Sequence, residues 1–385
     1  MRIGSIIGAT AALFVSTAWA QTGLDFTSNA GLERSCRQLA AAQPAKLVSD
    51  ADKIGFAICS GVELLRAGAR AWREQQSSRF DERGVVDRVR ALLEDSLARI
   101  RTARGVLETV KGPGPYLRIE PGRWTIDLDG DGVIAPLERY FFWVPKRGTT
   151  LLPQGGPADE YYRAQYTPPV IKVDRSDVHW ALAYCHFAEA ALNLALSYDV
   201  DLSGGPMRVA LRDAKRVRTA AYPALMRGLQ YSRKLRESLA RETDDDAEWI
   251  PSPKQANTSF PLVMDAQTFA TWGELLGHLD LLAAGKTLLG GSVGTPQSGP
   301  GFAVRDLSSG LCGPGEGFNL RQLFLDPVRQ PLDEAQWRAR CVKAGTLPLT
   351  GLARLIEASL ARNAGRNPES VSGEWMILRH LYWVN

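Results

Sequence analysis

Residues 86–110 read VDRVRALLEDSLARIRTARGVLETV. Val86, Val89, Leu93, Leu97, Ile100, Ala103, Leu107 and Val110 recur at three- and four-residue steps. That spacing lines up one face of an α-helix. Upstream, Ser49 reads as an N-cap with Asp52 three residues on, and Ile54, Ile58, Val62, Leu65 and Ala69 keep the same rhythm. Downstream, Val178–Tyr198 is the most apolar helix. Met207–Arg241 reads as a long helix bent at Pro223, Asp265 caps a helix to about Ala284, and Leu349–Ala361 adds a short one. Strands are few; Trp124–Asp127 is expected to pair briefly. No fixed repeat period marks a solenoid. The expected fold is all-α: an irregular helical array with long connections.

Breakers divide the chain. Gly112–Gly122 is rich in Gly and Pro, Lys146–Pro169 is irregular, Thr243–Phe260 joins an acidic run to several prolines, and Gly290–Gly317 is rich in Gly and Ser. These give an export segment over 1–20, an N-terminal helical hairpin and long helix over 21–111, and a loop segment over 112–146. A central helical core over 147–289 and a loop-rich region over 290–385 follow, with 21–385 able to fold as one domain. Arg2, the apolar stretch Ile3–Val15 and Ala18-Trp19-Ala20 fit a cleavable signal peptide, so the mature chain is expected to begin at Gln21. No Cys stands at the cleavage site to make a lipoprotein. The expected address is the periplasm or the exterior, with no transmembrane segment after cleavage. A net charge of +4 calls for no polyanionic partner, and nucleic acid is not expected.

Five cysteines in an exported chain favour bridges. Cys36 and Cys59 lie about equally far from a turn near Pro44–Asp50, so a helical hairpin brings them level. Cys312 and Cys341 form the second expected pair. Cys185, in an apolar helix, is left as a buried thiol.

The chemistry-bearing stretch is Asp127-Leu-Asp129-Gly-Asp131-Gly132-Val133-Ile134-Ala-Pro-Leu-Glu138. Calcium takes six to eight oxygens. Asp127, Asp129 and Asp131 offer single carboxylate oxygens, Val133 its carbonyl, and Glu138 two oxygens. Gly132 allows the sharp turn, Ile134 points apolar surface at the core, and Pro136 suits the first turn of an exit helix, Leu137–Trp143. The twelve residues resemble an EF-hand calcium loop. The resemblance implies Ca2+ as the bound ion. There are departures: position nine is Ala135, so water fills that slot; Arg139 replaces the usual apolar residue; and Gly112, Pro113, Pro115 and Pro121 leave no entering helix. The loop is therefore expected to be a structural clip, entered from extended chain, rather than a sensor.

Other patterns carry less. Asp199-Val-Asp201-Leu-Ser203-Gly204 copies half of such a loop, but Ala210 at position twelve cannot chelate, and it reads as a helix-ending turn. Asp244, Asp245, Asp246 and Glu248 read as a solvated linker. His179, His186, Asn193 and Ser197 share one helix face with Glu189 flanking, which reads as a hydrogen-bonded polar seam before a metal or acid–base site. The cations of Met207–Arg241 read as a soluble face before a binder of anionic lipid. Gly290-Gly-Ser292-Val-Gly294 lacks the strand and helix of a nucleophile elbow, and Asp280 replaces the first glycine of a phosphate loop ending at Gly285-Lys286-Thr287.

Trp249-Ile250-Pro251-Ser252-Pro253-Lys254-Gln255 and Asn319-Leu320-Arg321-Gln322-Leu323-Phe324 resemble stretches of uncharacterised proteobacterial exported proteins. That resemblance brings no activity or site residue with it. The leading expectation is a calcium-stabilised exported protein with a binding or scaffold role and a partner in the cell envelope. The alternatives are an envelope-acting enzyme, such as a glycan-cleaving helical protein, and an anionic-surface binder. No complete catalytic set is present, so the balance leans away from an enzyme.

Overall fold

The computed structural model describes residues 23–77, 82–135, 138–139, 141–143, 167–203, 205–258, 264–290, 311–313 and 315–345. The expected export segment, the helix expected over 349–361 and most of the 146–169 and 290–317 segments lie outside the described residues.

The architecture is mostly helical. Helix α1 spans Asn29–Ala40, with the Ser28 hydroxyl accepting from the Gly31 N–H as its N-cap. Helix α2 spans Asp50–Ser77, and the Ser49 hydroxyl takes the Asp52 N–H at 3.0 Å, as its sequence foretold. Helix α3 spans Glu82–Leu107. Its stripe buries Leu97, Ala103 and Leu107, whereas Val89 is 49 % exposed. The N-terminal half of the helix therefore runs past the core it was patterned to meet.

Strand β1, Leu117–Ile119, pairs antiparallel with β2, Ile171–Val173, setting Ile119 opposite Ile171. The expected pairing at Trp124–Asp127 is not formed. Helix α4 spans Arg175–Leu196, started by a capping box in which Asp174 and Asp177 each accept the other's backbone N–H. It ends at Ser197 and leads into a hairpin of β3, Tyr198–Asp201, and β4, Arg208–Leu211. Asp199 is thus in a strand, not a helix-ending turn, and the stretch from Met207 does not begin as helix. Ala214–Arg216 and a π-helical turn, Val217–Ala221, lead into α5, Tyr222–Arg241. Pro223 directly follows the π-helical turn inside a helical run that begins at Ala214, so the irregular turn falls where a proline ring would disturb a regular α-helical one. Helix α6, Ala266–Ala283, has Asp265 as its N-cap. It stops at Gly285, whose φ of +71° permits the Lys286 N–H to reach back to the Leu281 carbonyl. The C-terminal described part is β5, Glu316–Phe318, α7, Leu320–Leu325, α8, Glu334–Arg338, and β6, Cys341–Lys343, with β5 paired to β6.

Three apolar clusters fill the interior. One holds Phe26, Leu32, Leu39, Val62, Trp124, Ile126 and Leu128; a second Ile54, Leu107, Val110, Val178 and Leu182; a third Leu235, Leu239, Trp249, Ile250, Trp272 and Leu276. Ile119 packs against all three. Both expected disulfides are formed, Cys36–Cys59 and Cys312–Cys341, and Cys185 is free. Burial pushes the Cys185 thiol up to about 12. Among the described residues, no helix is long and apolar enough to cross a membrane.

The Cys36–Cys59 bridge closes a loop of 23 residues. The Cys36→Ala/Cys59→Ala variant should lose about 3 kcal/mol of stability by the loop-entropy relation, read by denaturant unfolding. Ala247, at φ +57°, is the one positive-φ residue other than glycine among the described residues. Ala247→Gly should therefore stabilise the fold by up to about 1 kcal/mol, the reverse of an ordinary Ala-to-Gly change. An equal loss would show that the strain is absent.

Candidate metal centre

The candidate loop grows out of an alternation. In the extended stretch after the short 3₁₀ turn Pro121–Arg123, side chains alternate from face to face. Trp124, Ile126 and Leu128 go into the core, at 4, 1 and 6 % exposure. Thr125, Asp127 and Asp129 are left on the other face. The Trp124 indole N–H donates to the Phe26 carbonyl at 3.0 Å, and its ring meets Phe142 edge-on at 5.3 Å. The entry and the exit of the loop are therefore pinned to the same cluster.

Within the loop, Asp127 acts as a local cap. Its Oδ1 accepts the N–H groups of Gly130 at 2.7 Å and Asp131 at 3.1 Å, and its Oδ2 accepts that of Gly132 at 2.9 Å. These backbone donors, Gly132 first, hold the Asp127 carboxyl below the usual range. Gly130 and Gly132 take φ of +74° and +84°, conformations that glycine adopts without Cβ strain. Asp129 accepts from Asp131, and Asp131 from Val133.

Asp127, Asp129 and Asp131 each bring one carboxylate oxygen to within 4.8 Å of the others. Glu138 is outside that group. It is 7 % exposed, and its carboxylate binds the loop's own backbone. Oε1 accepts from Leu128 at 2.7 Å and Asp129 at 3.2 Å, and Oε2 accepts from Ala135 at 2.9 Å. Glu138 thus staples the beginning of the loop to its end. Val133 has an exposed side chain and Ile134 is half-buried. Arg73 of α2 lies 4.0 Å from the Asp129 carboxylate, an exposed pairing of small worth.

No protein-family model, curated protein or solved structure matches the chain.

The polar face of α4 is a seam. Glu189, buried, meets Arg104 of α3 in a short ion pair and Arg101 at 3.5 Å. Asn193 accepts from Arg216 at 3.1 Å and Arg101 at 3.4 Å and donates to the Glu189 carbonyl; Ser197 donates to the Asn193 carbonyl. His186 stacks on Tyr231 at 5.4 Å, with its Nε2 3.6 Å from Glu108. His179 Nδ1 lies 2.9 Å from the Ser238 hydroxyl. These contacts belong to helix packing rather than to a ligand cage.

Many of the basic residues of 207–241 are engaged within the fold. Arg212 pairs with Asp199, Arg233 with Asp280 and Arg241 with Glu237, while Lys234 and Arg236 lie over Tyr231 and Phe269. A cleft of about 600 Å³ beside Leu47, Lys53, Arg101 and Val106 contains one carboxylate, Asp50. That group is bound by Lys53 and the N–H groups of Lys111 and Gly112. Glycoside hydrolysis needs two facing carboxylates, which this cleft lacks. The acidic run also departs from expectation. Asp244 and Asp246 are exposed, but Glu248 is buried at 2 % against Lys172, so the segment is anchored rather than a solvated linker.

Burial, with Arg175 and Lys234 nearby, pushes His179 down to about 4. Between that value and 6.5 the unfolded chain binds a proton that the folded chain refuses. Stability from this residue is full above pH 6.5 and is lost as pH falls towards 4. In thermal melts over that window, His179→Gln should fall less steeply than the wild type. Parallel curves would show that the imidazole does not sense its burial.

Proposed function

We propose that this chain is an exported calcium-binding protein in which the ion is a structural clip, with a binding or scaffold role towards a component of the cell envelope. The observation that carries the reading is the convergence of Asp127, Asp129 and Asp131 within 4.8 Å on a loop already shaped by its own backbone. Three like charges at that range repel, and a divalent cation turns the repulsion into attraction. An all-oxygen donor set suits a hard cation.

A clip is favoured over a sensor by the way the loop is mounted. Trp124, Ile126 and Leu128 bury the entering extended segment, and Glu138 closes the exit on the backbone. A sensor needs an element with two packings, and the loop's entry and exit both pack into one apolar cluster. The two disulfides fit a chain that matures outside the reducing cytoplasm.

Calcium titrated into chelator-treated mature protein should release or absorb heat in a calorimeter. An extracellular-type affinity of about 10⁻⁴ to 10⁻³ M corresponds, at roughly 10 mM calcium, to about 1.4–2.7 kcal/mol of added stability. Asp129→Ala/Asp131→Ala should lose that increment. If the double variant gains as much from calcium as the wild type, the loop is not the site.

A further inference from the structure

A second group of carboxylates lies where β2 passes into α4 and the chain leaves α5. Asp174, Glu242 and Glu248 each place one oxygen within 4.8 Å of the others. Asp174 is 9 % exposed and Glu248 2 %, with Glu242 half-buried. Asp177 adds a further carboxyl through its capping bond to the Asp174 N–H.

Existing partners do not satisfy this group. Asp174 Oδ1 accepts the N–H groups of Ser176 and Asp177. Glu242 accepts from the Ser176 hydroxyl through Oε1 and from Gln255 at 3.4 Å through Oε2. The nearest ammonium, Lys172, donates to Asp244 and stands 4.0 Å from Asp246. It lies 3.3 Å from Glu248 Oε1 without forming a hydrogen bond. Glu248 Oε1 is therefore buried and, beyond this ion pair with Lys172, has no hydrogen-bond partner, so one ammonium is the only cation paired with the three carboxylates among the described residues. Among the described residues no Lys or Arg forms an ion pair with Asp174, Asp177 or Glu242.

We propose that Asp174, Glu242 and Glu248 form a second site for a hard divalent cation, distinct from the Asp127–Glu138 loop. The donor chemistry sets the class of ion: carboxylate oxygens, with no Cys or His among them, suit calcium, magnesium or manganese. The spacing fits as well. Ligands on opposite sides of an ion with bonds of about 2.1–2.5 Å lie about 4.2–5 Å apart, so one ion can reach all three oxygens. The cation would join the end of α5 and the segment after it to the start of α4. Burial raises Glu248 to about 7 and also raises Asp174, Asp177 and Glu242. Protons alone are thus the competing way to quiet the same charge.

The test uses the mature chain carrying Asp129→Ala/Asp131→Ala, stripped with chelator and dialysed at pH 7.5 against calcium, magnesium or manganese in turn. One ion bound per chain, with affinity at least tenfold weaker after adding Glu242→Gln and Glu248→Gln, is the expected result. No bound ion with any of the three, or an affinity unmoved by the two amides, overturns the proposal and leaves protons as the balancing charge. A second reading needs no change in the cluster: hydrogen exchange at residues 242–257 of the loop variant should slow when the metal is added. Unchanged exchange also overturns it. The loop itself is judged separately, by the ion that the wild type binds and the loop variant does not.

Discussion

The pairing of Ile119 with Ile171 sits where the three apolar clusters of the described residues meet. Three residues on each side make the ribbon, and Ile119 touches all three apolar clusters. A two-stranded ribbon this short is marginal alone and relies on the helices packed around it. It also sets direction. Past β1 the chain enters the alternating stretch that buries Trp124, Ile126 and Leu128. Past β2 it meets Lys172's neighbours, the Asp174 cap and α4. Both carboxylate groups are thus placed by the same short ribbon.

The helices around the ribbon are matched by charge as well as by apolar surface. Glu189 is buried, and leaving it unpaired would be costly, so Arg104 and Arg101 reach it from α3. Asn193 extends the seam to Arg216 beyond the hairpin. A buried pair adds little net stability over apolar packing of equal volume, but a shift along α3 or α4 would strand the carboxylate. The seam therefore fixes register, while the apolar clusters supply most of the driving force.

Long-period features were legible in the chain before folding. The 86–110 stripe, the Ser49 and Asp265 caps and both cysteine pairs each rest on residues close in sequence or repeated over several turns. Short pairings were not. Strands β3 and β4 are four residues each, too few to establish a period, and their sequence continued the helical patterns on either side. The loop was half legible. Spacing located its three aspartates and Glu138, but not the hydrogen bonds by which the Glu138 carboxylate takes the N–H groups of Leu128, Asp129 and Ala135, since backbone donors leave no mark in a side-chain pattern. The Asp174, Glu242 and Glu248 group was out of reach, since its members come from two segments nearly seventy residues apart that meet only when β2 and α5 pack.

The order of the cysteines has a bearing on how the chain is made. Cys36 and Cys59 are neighbours in the order of cysteines along this sequence, as are Cys312 and Cys341. An oxidase that joins neighbouring thiols would make Cys36–Cys59 directly, and Cys312–Cys341 directly once α4 has packed and withdrawn Cys185. Only Cys185 comes between the pairs, and its withdrawn, strongly protonated sulfur makes it a poor competitor for either.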